Sequence, residues 1–333
     1  MNTVFPITFS HTMLSDLWTC EFKWYRLYVQ RLTGVTRNGD LIAGGLFAKA
    51  CEITRKAYFN DGQDEETAIE AGYNHILMGE DTEDSLKTNE RVAFIFKQYF
   101  KKFRMDSSLV PVQLADGTYA IEYTFQFDTG IAHPEIPDQN IIFKGKLDGL
   151  YERHYQGRIT ERYVVDEKTT KTVRRVKGNK AKLIDFNAEE DQYRMDGQLI
   201  GYHWAARQLG VKTTKSLIRR IPIGVEYEAA FELDIPVTPV MLDRWETSTF
   251  SKIHEVIDKY KWLTTSGKHA SAAFYPVYNK GCTEFAKVCP FHVGCVEPYG
   301  EQILASQYQQ LIYHEGNMIS VKEFKELKGI IGE

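Results

Sequence analysis

Two aspartates and a lysine near the middle of the chain are of the types and spacing that could do chemistry on a phosphate. Asp148 closes the run Gly145-Lys146-Leu147-Asp148, and Asp166 and Lys168 stand two apart in Asp166-Glu167-Lys168. In a β-strand, alternation puts Asp166 and Lys168 on one face and turns the Glu167 side chain to the other. Carboxylates converging beside a lysine suit Mg2+ or Mn2+, because hard oxygens hold such an ion, which acidifies a bound water and neutralises charge on a phosphate. The lysine then stabilises the attacking water or the transition state. A lone D-x-K triplet is more often a solvated surface pair. Here the apolar Val164-Val165 leads straight into Asp166, as in a strand leaving a core.

Cysteines make a second candidate centre. Cys282, Cys289 and Cys295 crowd into one glycine-containing segment, a pattern that favours metal over a disulfide framework in a chain with five cysteines. Cys20 is the natural fourth ligand. Cys51, between alanines in a helical pattern, reads as core packing. Zinc and an iron–sulfur cluster both accept four thiolates, although the C-x-x-C knuckles usual for zinc are absent.

The elements that must position these groups follow from periodicity. Ile141 to Glu152 and Arg158 to Thr169 read as strands joined by a turn at Tyr155-Gln156-Gly157, and Asp116-Gly117 reads as a second hairpin turn leading into a strand to Phe127. Ile131 to Gln139 reads as a loop. Helices are expected from Ser10 through Tyr28 with Cys20 inside, and over Leu41–Phe59, Glu65–Met78, Asp84–Phe103, Glu189–Leu209 and Met241–Leu263. Gln198 and Tyr202, four apart, fall on one helical face. Between the strands and that helix, Lys168 to Lys182 carries seven basic residues with no acid among them, read as a mobile loop. Lys171, Arg174, Arg175 and Lys177 are the candidates in it for contact with a phosphate backbone.

Composition limits the classes. The chain has 333 residues, 43% of them hydrophobic and 13% aromatic, with a net charge of −4. Nucleic-acid contact must therefore come from local patches rather than an overall field. No run is apolar enough to span a bilayer and no signal-peptide layout opens the chain, so a cytoplasmic protein is expected. There is no P-loop or Rossmann glycine set.

Taken together, Gly145-x-x-Asp148, Asp166-x-Lys168 and Gln198-x-x-x-Tyr202 resemble the PD-(D/E)XK nuclease superfamily in its RecB-like exonuclease branch. The likeness covers Ser10 to Cys295. It implies an α/β fold: a restriction-endonuclease-like mixed β-sheet core flanked by helices, with a helical N-terminal region and a cluster-bearing C-terminal segment. It implies Asp148 and Asp166 as metal ligands with the Glu167 carbonyl adding a third, Lys168 assisting the water, and Glu122 as a further active-site acid. Gln198 would position carboxylates, water or phosphate, and Tyr202 would contact DNA. It also implies a 4Fe-4S cluster on Cys20, Cys282, Cys289 and Cys295, as in the CRISPR-associated exonucleases. One departure stands out: the family's histidine after a glycine is missing from Gly45-Leu46-Phe47-Ala48-Lys49, which puts a second metal in doubt.

The expected organisation is a helical region 1–108 carrying the first cluster cysteine, a nuclease core 109–263, a cysteine segment 264–300 and a helical tail 301–333. The expected function is metal-dependent DNA cleavage by an exonuclease acting on single strands or free ends in recombination, repair or processing, with a helicase or recombinase as partner. The alternatives are a non-catalytic DNA-binding scaffold that retains fold and cluster, and a structure-specific endonuclease.

Overall fold

A computed structural model describes residues 4–33, 39–79, 87–105, 107–170, 174–177, 180–183, 186–224, 229–277, 281–283, 288–296, 309–314 and 317–320. The strands are β1 (Thr8–Phe9), β2 (Leu32–Thr33), β3 (Leu109–Pro111), β4 (Ile121–Ala132), β5 (Asn140–Tyr155), β6 (Arg158–Thr170), β7 (Arg174–Lys177), β8 (Lys180–Leu183), β9 (Lys215–Pro222), β10 (Phe231–Pro236), β11 (Gln309–His314) and β12 (Asn317–Ser320). The helices are α1 (His11–Thr19), α2 (Glu21–Trp24), α3 (Gly39–Phe59), α4 (Glu65–Leu77), α5 (Asn89–Lys102), α6 (Phe186–Arg194), α7 (Gly197–Gln208), α8 (Pro239–Ser266) and α9 (His292–Val296). Two compact units emerge. One comprises 1–36, 126–144 and 247–333, and the other 37–125 and 145–246.

The second unit holds the D-x-K strand in a mixed sheet. Residues 149–155 of β5 pair antiparallel with 158–165 of β6, turning at Gln156 and Gly157, whose φ values of 49° and 74° are the left-handed pair that a tight hairpin requires. β6 runs parallel to β9 over Tyr163–Thr170, and β9 pairs antiparallel with β10. A parallel neighbour needs a crossover, which α6 and α7 supply. Helices flank both faces. Phe47, Ala50, Cys51, Phe96, Tyr99 and Phe100 of α3 and α5 pack with Ile221, while Tyr193 and Leu199 pack with Ile218, Leu233 and Ile235. This is the α/β architecture with a mixed, helix-flanked sheet that the sequence implies.

Local chemistry fixes the helix ends, sometimes differently from the sequence reading. The stretch expected as one helix from Glu189 to Leu209 is two, because Asp196 is extended and its carboxylate accepts from the Gln198 N–H at 2.7 Å, capping α7. At the other end Gly210, at φ 77°, takes the left-handed position past the last turn. α5 begins at Asn89 behind the Thr88 cap, and 84–86 of its expected start lie outside the described residues. The basic stretch is no simple loop: β7 and β8 pair antiparallel from Arg174↔Leu183 to Lys177↔Lys180. Lys171 is outside the described residues.

In the first unit, Ser10 caps α1, and the chain breaks at Cys20 instead of continuing helically, with φ −162° and ψ 111°. Phe5, Phe9, Trp24 and Tyr260 form its aromatic centre. The tail expected to be helical contains the β11–β12 hairpin, whose first strand also pairs with β2. The β-favouring runs Leu311-Ile312-Tyr313 and Met318-Ile319, on either side of Gly316-Asn317, favour that pairing. Among the described residues, no helix is long and apolar enough to cross a membrane.

Candidate active site

The antiparallel register of β5 and β6 sets the two aspartates opposite each other, one step past the pair Gly149↔Val165. Asp148 Oδ2 accepts a 2.7 Å hydrogen bond from the Glu167 N–H, which ties it to the next strand. Asp166 is 1% exposed. Lys168 Nζ donates to Asp166 Oδ1 at 3.0 Å and to Gln198 Oε1 at 3.2 Å, and Gln198 Nε2 donates to the Tyr202 hydroxyl at 2.7 Å. Asp148, Asp166, Lys168, Gln198 and Tyr202 thus form one polar chain.

Packing explains the glycine of the G-x-x-D motif. A Cβ on Gly145 would stand 2.6 Å from the Phe125 ring, and Phe125 meets Tyr202 edge-on with centroids 6.4 Å apart. Any larger residue would therefore push the ring that backs the Tyr202 phenol. Asp196 does double duty, since capping α7 fixes the first turn on which Gln198 sits.

The electrostatics favour a cation. Burial pushes the Asp148 carboxyl well above the usual range, and the charges of Asp166 and Glu122 push it further. Burial also raises Asp166, against the pull of Lys168. Lys168 is drawn down by burial but held above its ordinary value by Asp166. Asp166 Oδ2 is buried with no hydrogen-bond partner, although Lys168 Nζ lies 2.9 Å away. Two adjacent carboxylates that share a single ammonium between them fit a hard divalent ion that takes one or two carboxylates from the protein and the rest of its shell from water. Among the described residues no group of three or more His, Cys, Asp and Glu side chains is gathered as a metal-holding set. The candidate donors are the Asp148 and Asp166 carboxylates and the Glu167 carbonyl between Asp166 and Lys168.

Glu167 itself faces away, into a buried network that sequence reading missed. Arg55 Nη1 donates to Glu167 Oε2 at 3.2 Å, Arg55 Nη2 and the Tyr99 hydroxyl both bond Oε1, and Arg219 Nη1 lies 3.8 Å from it. Tyr99 accepts from Arg55 at 2.9 Å and from Arg219 at 3.0 Å. Burial would raise the Glu167 carboxyl, but Arg55 and then Arg219 hold it below the ordinary value. The network clamps β6 between Asp166 and Lys168 from behind.

Glu122 reaches the interior by an unexpected route. Its φ is 48°, a left-handed conformation rare outside glycine, so strict strand alternation fails there. The carboxylate is buried and pairs with Lys146 Nζ at 2.8 Å. Burial raises its pKa, opposed by Lys146. Lys146 also donates to Glu52 Oε2 at 3.2 Å. Lys146 could have been noticed, being two residues before Asp148 on the same strand.

Three of the four cysteines of the proposed cluster adjoin short turns in the first unit: Cys282 in a turn at 281–283, Cys295 in α9, and Cys289 between them. The Cys289 N–H donates to the Cys282 carbonyl at 2.8 Å. Burial raises the Cys295 thiol to about 11, helped by the nearby Cys20, Cys289 and Cys282, and raises Cys289 with Cys20 and Cys282 adding to it. Cys51, wholly buried in the second unit, is a packing residue.

A family model for the PD-(D/E)XK nuclease superfamily matches residues 8–295, from β1 into α9. The chain belongs to that superfamily. Among solved structures, a provisionally named exonuclease from Eubacterium rectale is 14% identical over 75% of this chain and 80% of that one, at a TM-score of 0.37. The protein SSO0001 is 13% identical over 64% of this chain and 84% of its own, at a TM-score of 0.24. No curated protein matches the chain. In this PD-(D/E)XK nuclease, Asp148, Asp166 and Lys168 are the candidates for the residues that name the superfamily.

Proposed function

We propose that this nuclease cleaves DNA with Mg2+ or Mn2+ held by Asp148, Asp166 and the Glu167 carbonyl, and that it works as an exonuclease on single strands or free ends. The observation that carries the reading is the Asp148–Asp166 pair, Asp166 buried and Asp148 half-buried, with both Asp166 oxygens facing the Lys168 ammonium at 3.0 and 2.9 Å. When bound, the divalent ion supplies an acidified water and charge neutralisation at the phosphate. Lys168, steered by Asp166 and Gln198, offers its ammonium to charge developing on the phosphate oxygens. Burial, with the charges of Asp148 and Asp166, keeps the Tyr202 phenol neutral, and Gln198 Nε2 orients it by donating to its hydroxyl. Glu122 contributes to the acidic field around Asp148. The β7–β8 ribbon, with Arg174, Arg175 and Lys177 on one strand, and Lys171 before it, would take the DNA backbone.

The family likeness carries the reading of Cys20, Cys282, Cys289 and Cys295 as ligands of a structural 4Fe-4S cluster, supported by the rise that Cys20, Cys289 and Cys282 add to the Cys295 thiol. Reduced thiols and a cluster suit the cytoplasm, and the RecB-like resemblance suits work beside a helicase or recombinase in recombination or repair. The test is cleavage of end-labelled linear and circular DNA, single-stranded and duplex, with Mg2+, Mn2+ or EDTA. Products shortened from an end, only on linear DNA and only with metal, support the reading. Cutting of circles would make it an endonuclease, and metal-insensitive binding without cleavage would make it a scaffold.

A further inference from the structure

Arg219 and Arg220 stand side by side on β9, and strand alternation sends them to opposite faces of the sheet. Arg219 belongs to the clamp behind β6, bonded to Tyr99 and Glu232. Arg220 therefore faces the site. In the parallel pairing of β6 with β9 it is the in-register partner of Lys168, as Ile218 is of Asp166. Neighbouring strands lie about 4.8 Å apart, so the arginine stem rises directly beside the lysine. The helices over that face agree: Ile218 packs with Tyr193 of α6 and Leu199 of α7, Lys168 reaches Gln198 of α7, and Arg220 Nη1 donates to the Tyr193 hydroxyl. The Arg220 Cζ lies 5.9 Å from the Tyr193 ring centroid, and Tyr193 is 7% exposed, so a core residue fixes the guanidinium. Lys168 and Arg220 each stand two residues before the end of their strand, at Thr170 and Pro222. That is the carboxyl edge of the parallel pair, where ligands collect in open α/β sheets.

Charge balance on this face leaves a task for Arg220. One divalent ion matches the two carboxylates of β5 and β6, and the Lys168 ammonium matches the phosphate being cut. The phosphodiester next along brings a further negative charge to the same face, and Arg220 is the cation one strand over. We propose that Arg220, held by Tyr193, is a second phosphate site that takes the phosphate adjoining the cut one, so that the substrate is aligned by two phosphates on two neighbouring strands. This rests on the reading of Lys168 and the two aspartates as the place where DNA is cut. A guanidinium suits the task, because its planar fork of five N–H donors matches phosphate oxygens and stays charged. The Tyr193 phenol fixes the fork without taking up its charge.

The test crosses the residue with the phosphate. Single-turnover cleavage by the full-length chain with Mn2+ is measured for the parent and Arg220→Met on end-labelled DNA strands. These are either ordinary or carry one uncharged methylphosphonate linkage next to the cut one, placed on one side or the other. In the parent, the neutral linkage on one side should slow cleavage about tenfold, the worth of one charge-assisted hydrogen bond. Arg220→Met should be slowed about as much on the ordinary strand and lose nothing further on that modified one. Circular dichroism checks that the variant is folded, and if Arg220→Met does not fold, Arg220→Gln takes its place with the same expectation. A packing role would slow every strand alike, so losses that multiply for both positions of the neutral linkage overturn the inference alone. Cleavage by Arg220→Met at the parental rate does the same, as does a parent indifferent to the neutral linkage on either side. No metal-dependent cleavage by the parent on any strand overturns both the inference and the nuclease reading beneath it.

Discussion

Replacing Glu167 by Gln tests whether the buried clamp behind β6 holds the site. The substitution keeps shape and removes charge. In the parent the Arg55 and Glu167 side chains are 3% and 4% exposed, and Arg55 has no other carboxylate in ion-pair contact among the described residues. Arg219 keeps Glu232 at 3.0 Å, so the group left stranded is Arg55. Removing one partner of a buried pair costs about 3–5 kcal/mol, most of it for the orphaned charge. Removing the charge from both sides, in Arg55→Met/Glu167→Gln, should therefore cost less than Glu167→Gln alone. Urea-dependent hydrogen exchange read on peptides of 145–246 reports this unit without interference from the other. A cost below about 1 kcal/mol for Glu167→Gln, or a double variant as unstable as the sum of the singles, would refute the clamp.

Other predictions follow from the same coordinates. Lys168→Ala should cut cleavage about 100- to 1000-fold while DNA binding by filter retention survives, since its role is charge stabilisation. His203, bonded to Thr213 and Ser216 at 2.6 and 2.8 Å, is pushed down to about 3 by burial. Its folded pKa is below the unfolded one, so its stabilising contribution is complete above about pH 6.5 and declines by about 1.4 kcal/mol per unit as pH falls toward 3. His203→Gln should flatten that part of the stability profile in urea titrations, and an unchanged slope would assign it to other groups. Arg174→Ala/Arg175→Ala/Lys177→Ala should lower the salt slope of DNA binding by about one unit per lost phosphate contact. Ser at Cys20, Cys282, Cys289 or Cys295 should abolish iron and sulfide in anaerobically purified protein, whereas Cys51→Ser should retain both. Stoichiometric zinc would replace the cluster with a zinc staple.

Much of this site was legible because it lies on strands. Period-two alternation and one tight turn put Asp148, Asp166 and Lys168 together, and helical spacing joined Gln198 to Tyr202. What escaped depended on contacts between distant elements. Arg55, Tyr99 and Arg219 are ordinary letters until α3, α5 and β9 bring them around Glu167. The break in the α6–α7 helix hung on whether Asp196 would cap, a competition between side chain and backbone that periodicity does not register. Glu122 was singled out through the family likeness, yet its inward turn depends on a left-handed residue that strand patterns do not anticipate. The hairpin at 309–320 escapes a helical reading of the tail because its short apolar runs, Leu311-Ile312-Tyr313 and Met318-Ile319, cannot be told from buried helix by periodicity and sit beside lysine-rich, helix-favouring text.

The central claim, that Asp148 and Asp166 hold the ion that drives DNA hydrolysis, is tested most directly by single-turnover cleavage of an end-labelled strand with Mn2+, comparing the parent with Asp166→Ala at equal DNA occupancy. The account predicts metal-dependent cleavage in the parent, none with EDTA, and a loss of about 100-fold or more in the variant while DNA remains bound. Cleavage by Asp166→Ala at the parental rate would contradict it.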